Sequence, residues 1–166
     1  MTKLLSTNLK LLLILSLAAL VGCSSSPKKT GDGLVDDAAE AMSLELNGSS
    51  DENTAGPLQT IYFDFNSAQL TPVAKSTLEA NAMWLKDNDE VTIQIEGHTD
   101  ERGGHQYNLA LGENRARVVQ DYLVALGVSA ANIAIISYGK EKPISYGHDE
   151  GSWSRNRRAN FVVTAK

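Results

Sequence analysis

Val91-Thr92-Ile93-Gln94-Ile95-Glu96-Gly97-His98-Thr99-Asp100-Glu101-Arg102-Gly103-Gly104 is the stretch that decides the fold. Its first six residues alternate apolar and polar, the period of a strand with one buried face. Glycines at 97, 103 and 104 then punctuate a turn. The spacing beyond predicts a helix from about Tyr107 to Leu126, with Gly127 as the residue that ends it. A strand, a glycine-rich loop and a helix in that order form the front of a βαβ unit.

Working outward, the pattern is globular from about residue 57 to 166, enough for one small domain. Leu58–Phe65 reads as a strand, with Ile61, Tyr62, Phe63 and Phe65 supplying β-branched and aromatic bulk. Thr71 is a good N-cap and Pro72 suits a first helical position, so a helix is expected to about Asp87. Ile133–Gly139 is the third strand. A loop carrying Pro143, Gly147 and Gly151 follows, and Arg158–Thr164 is the last strand. The expected class is α/β (α+β): a βαβαβ arrangement with helices on one side of a small mixed sheet, the short final strand running antiparallel.

Upstream the composition changes twice. Residues 1–22 read as a secretory signal, with Lys3 and Lys10 ahead of the apolar run Leu11–Val21. That run is short for a membrane span. Leu20-Val21-Gly22-Cys23 resembles the lipobox of bacterial lipoproteins, which implies a diacylglyceryl thioether and an N-acyl chain on Cys23, the only cysteine. More than one acyl chain gives stable anchoring. Ser24 after that cysteine implies sorting to the outer membrane. Residues 23–56, rich in Ser, Gly, Asp and Asn, are expected to form a flexible tether. Such a tether reaches roughly 30–35 Å on average.

The chain of 166 residues carries a formal charge of −5. Without Lys3 and Lys10 the remainder stands at −7, a poor match to phosphate backbones, so nucleic acid is set aside.

One helix residue is out of place. At about 100° per residue, Val119, Tyr122 and Leu126 fall within about 40° of Arg115. Arg115 therefore lies in the apolar arc, while Glu113, Arg117 and Asp121 face the other way. A buried guanidinium needs a partner, and its planar fork suits a carboxylate. Asp100 is the candidate neighbour. An internal Asp100–Arg115 ion pair, an Arg115 that reaches out to solvent, and a clamp for a zwitterionic ligand all remain open at this point.

Other chemistries have less support. His98, Asp100 and His105 include metal-ligand types, but a glycine loop without helical HExxH spacing makes a poor cage, and no metal or other cofactor is expected. Neither a nucleophile elbow nor a P-loop occurs, and no catalytic residue is assigned. Trp153 beside Arg155, Arg157 and Arg158 reads equally as a partner surface or a solvated loop.

Glu96–Gly103, Tyr107-Asn108 and Leu111-Gly112-Glu113-Asn114-Arg115-Ala116 closely resemble the peptidoglycan-binding domain of the OmpA family. Ser137–Pro143, Asn156–Ala159, Tyr62-Phe63-Asp64 and Gly147–Glu150 resemble its lipoprotein branch. Gly112 departs from the pattern, since the wider family usually has Ser there. The resemblance implies that the domain holds the peptide stem of peptidoglycan at meso-diaminopimelate, with no bond broken. Carried onto this chain, Asp100 accepts from the ammonium of the ligand and Arg115 clasps its carboxylate. Asp64 and Phe65 line the same pocket, and Leu111 helps wall it. The implied partners are the wall, the outer membrane through Cys23, the β-propeller protein TolB, and other Tol and OmpA-family proteins. A lipoprotein of the same class serving another envelope machine is the alternative; a metal-dependent wall hydrolase is a weaker one.

Overall fold

The computed structural model describes residues 43–166. The signal, Cys23 and the tether up to residue 42 lie outside the described residues. Four strands form one sheet: β1 Ile61–Tyr62, β2 Thr92–His98, β3 Ile133–Gly139 and β4 Arg158–Ala165. Their order is β1-β4-β2-β3. β2 pairs parallel with β3, Ile95 opposite Ile135, and antiparallel with β4, Ile95 opposite Phe161. The sheet is mixed, and the antiparallel member is the last strand, as expected.

The alternation around β2 is what seats it centrally. Val91, Ile93 and Ile95 are buried, and they meet Phe161 and Val163 of β4 in one core. Helix α1, Pro72–Asp87, begins where Thr71 Oγ1 accepts from the Ala74 amide at 3.1 Å. It buries Ala74, Leu78, Ala82 and Leu85. Helix α2, His105–Ala125, packs on β2 and β3 and buries Ala116, Val119 and Leu123 in the same face as Arg115. Burying each large apolar side chain is worth about 1.5–3 kcal/mol before entropy is charged against it. Gly127, at φ 97°, takes the left-handed turn that stops α2.

One close approach fixes α2 against β2. A Cβ on Gly97 would lie 1.8 Å from the Gly112 carbonyl oxygen. A Cβ on Gly112 would lie 2.4 Å from Ser137 Oγ. The glycine at 112, where the wider family pattern has a serine, thus matches a contact too tight for any side chain as the backbone stands.

Three expectations need correction. The first strand spans two residues rather than eight, because Gln59 bonds through its backbone to the Asn81 side chain and Asn66 turns the chain at φ 53°. The expected loop after β3 contains helix α3, Glu150–Asn156, started by Asp149 accepting from the Ser152 amide at 2.8 Å. This cap and the grip of Asn156 on the backbone of residues 144 and 145 outweigh Gly151.

The third concerns the tether. Its expected extent was 23–56, yet residues 43–56 form a strap packed on the domain. Ser49 bridges Val162 on the open edge of β4 beyond β1, and Val163 exchanges backbone hydrogen bonds with Asn47 and Gly48. Ser50 Oγ donates to Asn160 Oδ1 at 2.9 Å, and Arg158 Nε donates to Asp51 Oδ2 at 2.6 Å. Polar composition hides this order, since the stabilising partners are side chains and an exposed strand edge more than a hundred residues away.

Candidate functional site

At the C-terminal end of β2 the chain leaves the sheet beneath the first turns of α2. Thr99 N–H donates to the Gly139 carbonyl at 2.8 Å, which pins the loop to β3. Asp100 follows and is 3% exposed. Its Oδ1 accepts from the Arg102 amide at 3.1 Å, and its Oδ2 from Arg102 Nη2 at 2.6 Å and Arg157 Nη1 at 3.4 Å. Burial pushes the Asp100 carboxyl up, but the hydrogen bonds and charge of Arg102, helped by Arg157, hold it below its ordinary value.

Arg115 is entirely buried. It does not pair with Asp100, so the internal ion pair is excluded, and so is a side chain reaching out to water. Instead its Nε, Nη1 and Nη2 donate to the carbonyls of Ser67 at 2.8 Å, His98 at 2.7 Å and Asp64 at 3.0 Å. Three of its five N–H groups are thereby used, which leaves two. Phe63 lies beneath, its ring centre 5.1 Å from the guanidinium carbon. Burial, and then the neighbouring Arg157 guanidinium, lower Arg115 to about 10, so it stays a cation at neutral pH.

Both residues open onto a cavity of about 200 Å³. Phe65, Tyr107, Leu111 and Arg102 form its apolar and aromatic-faced sides. Of the five residues assigned to a pocket from the sequence, Phe65, Asp100, Leu111 and Arg115 meet here. The Asp64 side chain does not. It is exposed and faces a separate cleft of about 350 Å³ with Tyr62, Thr71 and Arg155. Asp64 serves the site through its backbone, as one of the three carbonyls that hold Arg115.

Sequence reasoning missed two arginines. Arg102 stacks between Phe65, 3.9 Å from the ring centre, and Trp153, at 4.1 Å. An Asp-x-Arg spacing after a strand is a signal for a side chain that folds back on its neighbour. Arg157 also donates to the Phe63 carbonyl at 3.0 Å and to Glu150 at 2.5 Å. Nothing local announces that role, because Asp100 is 57 residues away. Arg157 and Arg158 are buried, so neither belongs to a solvated basic surface.

The histidines are dispersed. His98 is buried against Tyr138 with ring centres 5.7 Å apart, and burial lowers its pKa despite the Glu96 carboxylate 3.5 Å from its Nε2. His105 is exposed near Glu141. Among the described residues no group of three or more His, Cys, Asp or Glu could hold a metal. No helix among them is long and apolar enough to cross a membrane.

The geometry meets a consistent set of relatives. The OmpA family pattern matches residues 62–157. The peptidoglycan-associated lipoprotein of Pseudomonas aeruginosa is 47% identical over 90% of this chain and 92% of its own length. That of Haemophilus influenzae is 39% identical over 87% and 90%. The crystal structure of the peptidoglycan-associated lipoprotein from Burkholderia pseudomallei superposes with a TM-score of 0.63 at 45% identity, over 65% of this chain and 93% of that one. The C-terminal domain of Helicobacter pylori MotB, at 22% identity and a TM-score of 0.61, shares the fold. A mixed sheet with the OmpA motif at the end of its central strand and these identities place the chain in the OmpA family, among the peptidoglycan-associated lipoproteins.

Proposed function

We propose that this protein is an outer-membrane lipoprotein that grips peptidoglycan without covalent chemistry. In this reading Cys23 carries the acyl chains and the folded domain faces the periplasm. The cavity takes the free D-centre of meso-diaminopimelate in a wall peptide. Arg115 offers its two unused N–H groups to the carboxylate, Asp100 accepts from the ammonium, and Phe65 and Leu111 exclude water from the side chain between. The observation that carries the reading is Arg115: a fully buried cation held by three carbonyls and no carboxylate, beside an open cavity. Dipoles fix its position without cancelling its charge, so the energetic value of an incoming carboxylate is retained.

Family membership supports a wider role in which the protein staples the outer membrane to the wall as a component of the Tol–Pal system, in envelope integrity and cell division. A TolB-like propeller is its protein partner, with other Tol and OmpA-family proteins as further candidates. Recognition of this kind needs binding groups and no nucleophile, so the protein acts as a tether and not as an enzyme.

Calorimetry tests the site. The folded protein is titrated with a wall peptide containing meso-diaminopimelate and with its lysine counterpart, which lacks the second carboxylate. Binding of the first alone, lost in Asp100→Ala and Arg115→Ala variants that remain folded, is the expected result. Equal affinity for the two peptides would remove the carboxylate from the recognition and with it this assignment.

A further inference from the structure

Asp100, the carboxylate assigned to the ammonium of the ligand, already has a cation on it. Arg102 Nη2 is 2.6 Å from Asp100 Oδ2, closer than Arg157 at 3.4 Å. An ammonium approaching this carboxylate meets two guanidiniums and a third, Arg115, across the cavity. Like charges at such distances in a partly dry pocket are costly. Binding of an ammonium is favourable only if one of the cations gives way.

Arg102 is built to do so. Its guanidinium carbon lies over both the Phe65 and the Trp153 rings, within cation–π distance of each. Trp153 is itself fixed by Nε1 donating to Glu101 Oε1 at 2.8 Å. Stacking restrains tilt but leaves the cation free to turn in its own plane. A second acceptor lies beside the first, with Glu150 Oε2 3.8 Å from the same Nη2. Arg102 Nε is buried and has no hydrogen-bond partner, so the present orientation does not use the whole fork. Arg157 lacks this freedom, because it also donates to the Phe63 carbonyl inside the core.

Resting on the proposed wall-peptide reading, we infer that Arg102 is an internal stand-in for the ammonium of the ligand, handed from Asp100 to Glu150 when the ligand binds. In the empty site it keeps the buried carboxylate paired. In the occupied site it turns between the two rings and the ligand nitrogen takes its place. Arg102 thereby sets selectivity: a ligand without a positive charge at this centre cannot displace it.

The experiment compares the full chain in detergent with Arg102→Ala, Glu150→Gln and the double variant, each first shown to unfold cooperatively. The probes are the meso-diaminopimelate tripeptide and the same peptide acetylated on its D-centre amine. Arg102→Ala should tighten the free-amine peptide by roughly tenfold, the scale of one charge-assisted hydrogen bond to a partly exposed group. It should leave the acetylated peptide unchanged. Glu150→Gln should weaken the free-amine peptide several-fold when Arg102 is present and not when residue 102 is alanine. Arg102→Ala weakening both peptides alike would make Arg102 a wall of the site and overturn the handover. So would a Glu150→Gln loss that persists in the double variant. Failure of both the wild type and Arg102→Ala to bind the free-amine peptide sinks the wall-peptide reading, and the handover with it. Wild-type binding without the expected pattern sinks only the handover.

Discussion

Arg158 and Arg115 are both buried arginines, 2% and 0% exposed, but their charges are met in opposite ways. Arg158 meets a carboxylate of its own chain, Asp51, at 2.6 Å, with carbonyls of Asn156 and Lys142 completing its shell. Arg115 meets carbonyls alone. The first region is electrically closed, and its arginine fastens the strap of residues 43–56. The second carries an uncancelled charge into a cavity. Two guanidiniums of equal burial therefore have different uses, and the difference lies in whether the chain itself supplies the anion.

The comparison breaks most visibly at Arg115. Arg115→Met unpairs three carbonyls at once. It should cost about 3–5 kcal/mol in urea unfolding, since each buried unpaired carbonyl costs about 1–3 kcal/mol and the effects overlap. Carboxylate binding should vanish. A loss under 1 kcal/mol would show that water replaces the arginine freely.

Asp51→Asn sharpens the other side. Asparagine keeps the shape and removes the charge, so Arg158 is left buried and uncompensated; the expected loss is about 2–3 kcal/mol. Affinity for the wall peptide should stay within about twofold, since the strap does not line the cavity. A parallel fall in affinity would mean that the strap and the cavity are one unit.

Much of this contrast was legible in the chain, but unevenly. Arg115 could be placed by helix phase alone, because the 3.6-residue period is a local property and its face is set by Val119 and Leu123. Asp100 could be placed near it by the turn after β2. The identity of the partners could not be read: an Asp100–Arg115 pair fits the same spacing as carbonyls contributed by Asp64, Ser67 and His98. The strap was illegible for a related reason, since Ser50 and Asp51 are ordered by Asn160 and Arg158, far along the chain. Helix α3 was hidden by glycines whose cost is met by a cap and by Asn156. What depends on period survives in sequence, and what depends on distant side chains does not.

A smaller effect tests the electrostatics of Asp100. Its folded-state pKa lies below the ordinary value, so it stabilises the folded state above the unfolded carboxyl range. That contribution is lost as pH falls from about 4 through the lowered pKa. Urea midpoints between pH 5 and pH 3 should fall less steeply in Asp100→Asn than in the wild type. An identical slope would assign the acid sensitivity to other carboxylates.

Arg155→Ala supplies the baseline. This arginine is exposed and has no ion-pair partner within 4.0 Å among the described residues, so its removal should change stability by less than about 0.5 kcal/mol by thermal unfolding. A larger change would show that exposure alone does not separate idle arginines from working ones.

The strap has a mechanical consequence. Asn47 and Gly48 hydrogen-bond to Val163, and Ser49 bridges Val162, near one end of β4, and Arg157 stands just before the other end, bonded to Asp100. A pull arriving through the backbone before residue 43 first meets the bonds of Ser43 and Glu45 to Gly56 and Thr54, and then these bonds to β4. It then runs along an extended strand of eight residues, roughly 25 Å of nearly taut chain flanked by neighbours on both edges. Tension reaches the cavity along this strand, and Arg158 with Asp51 is the rivet at which the strap is joined to it.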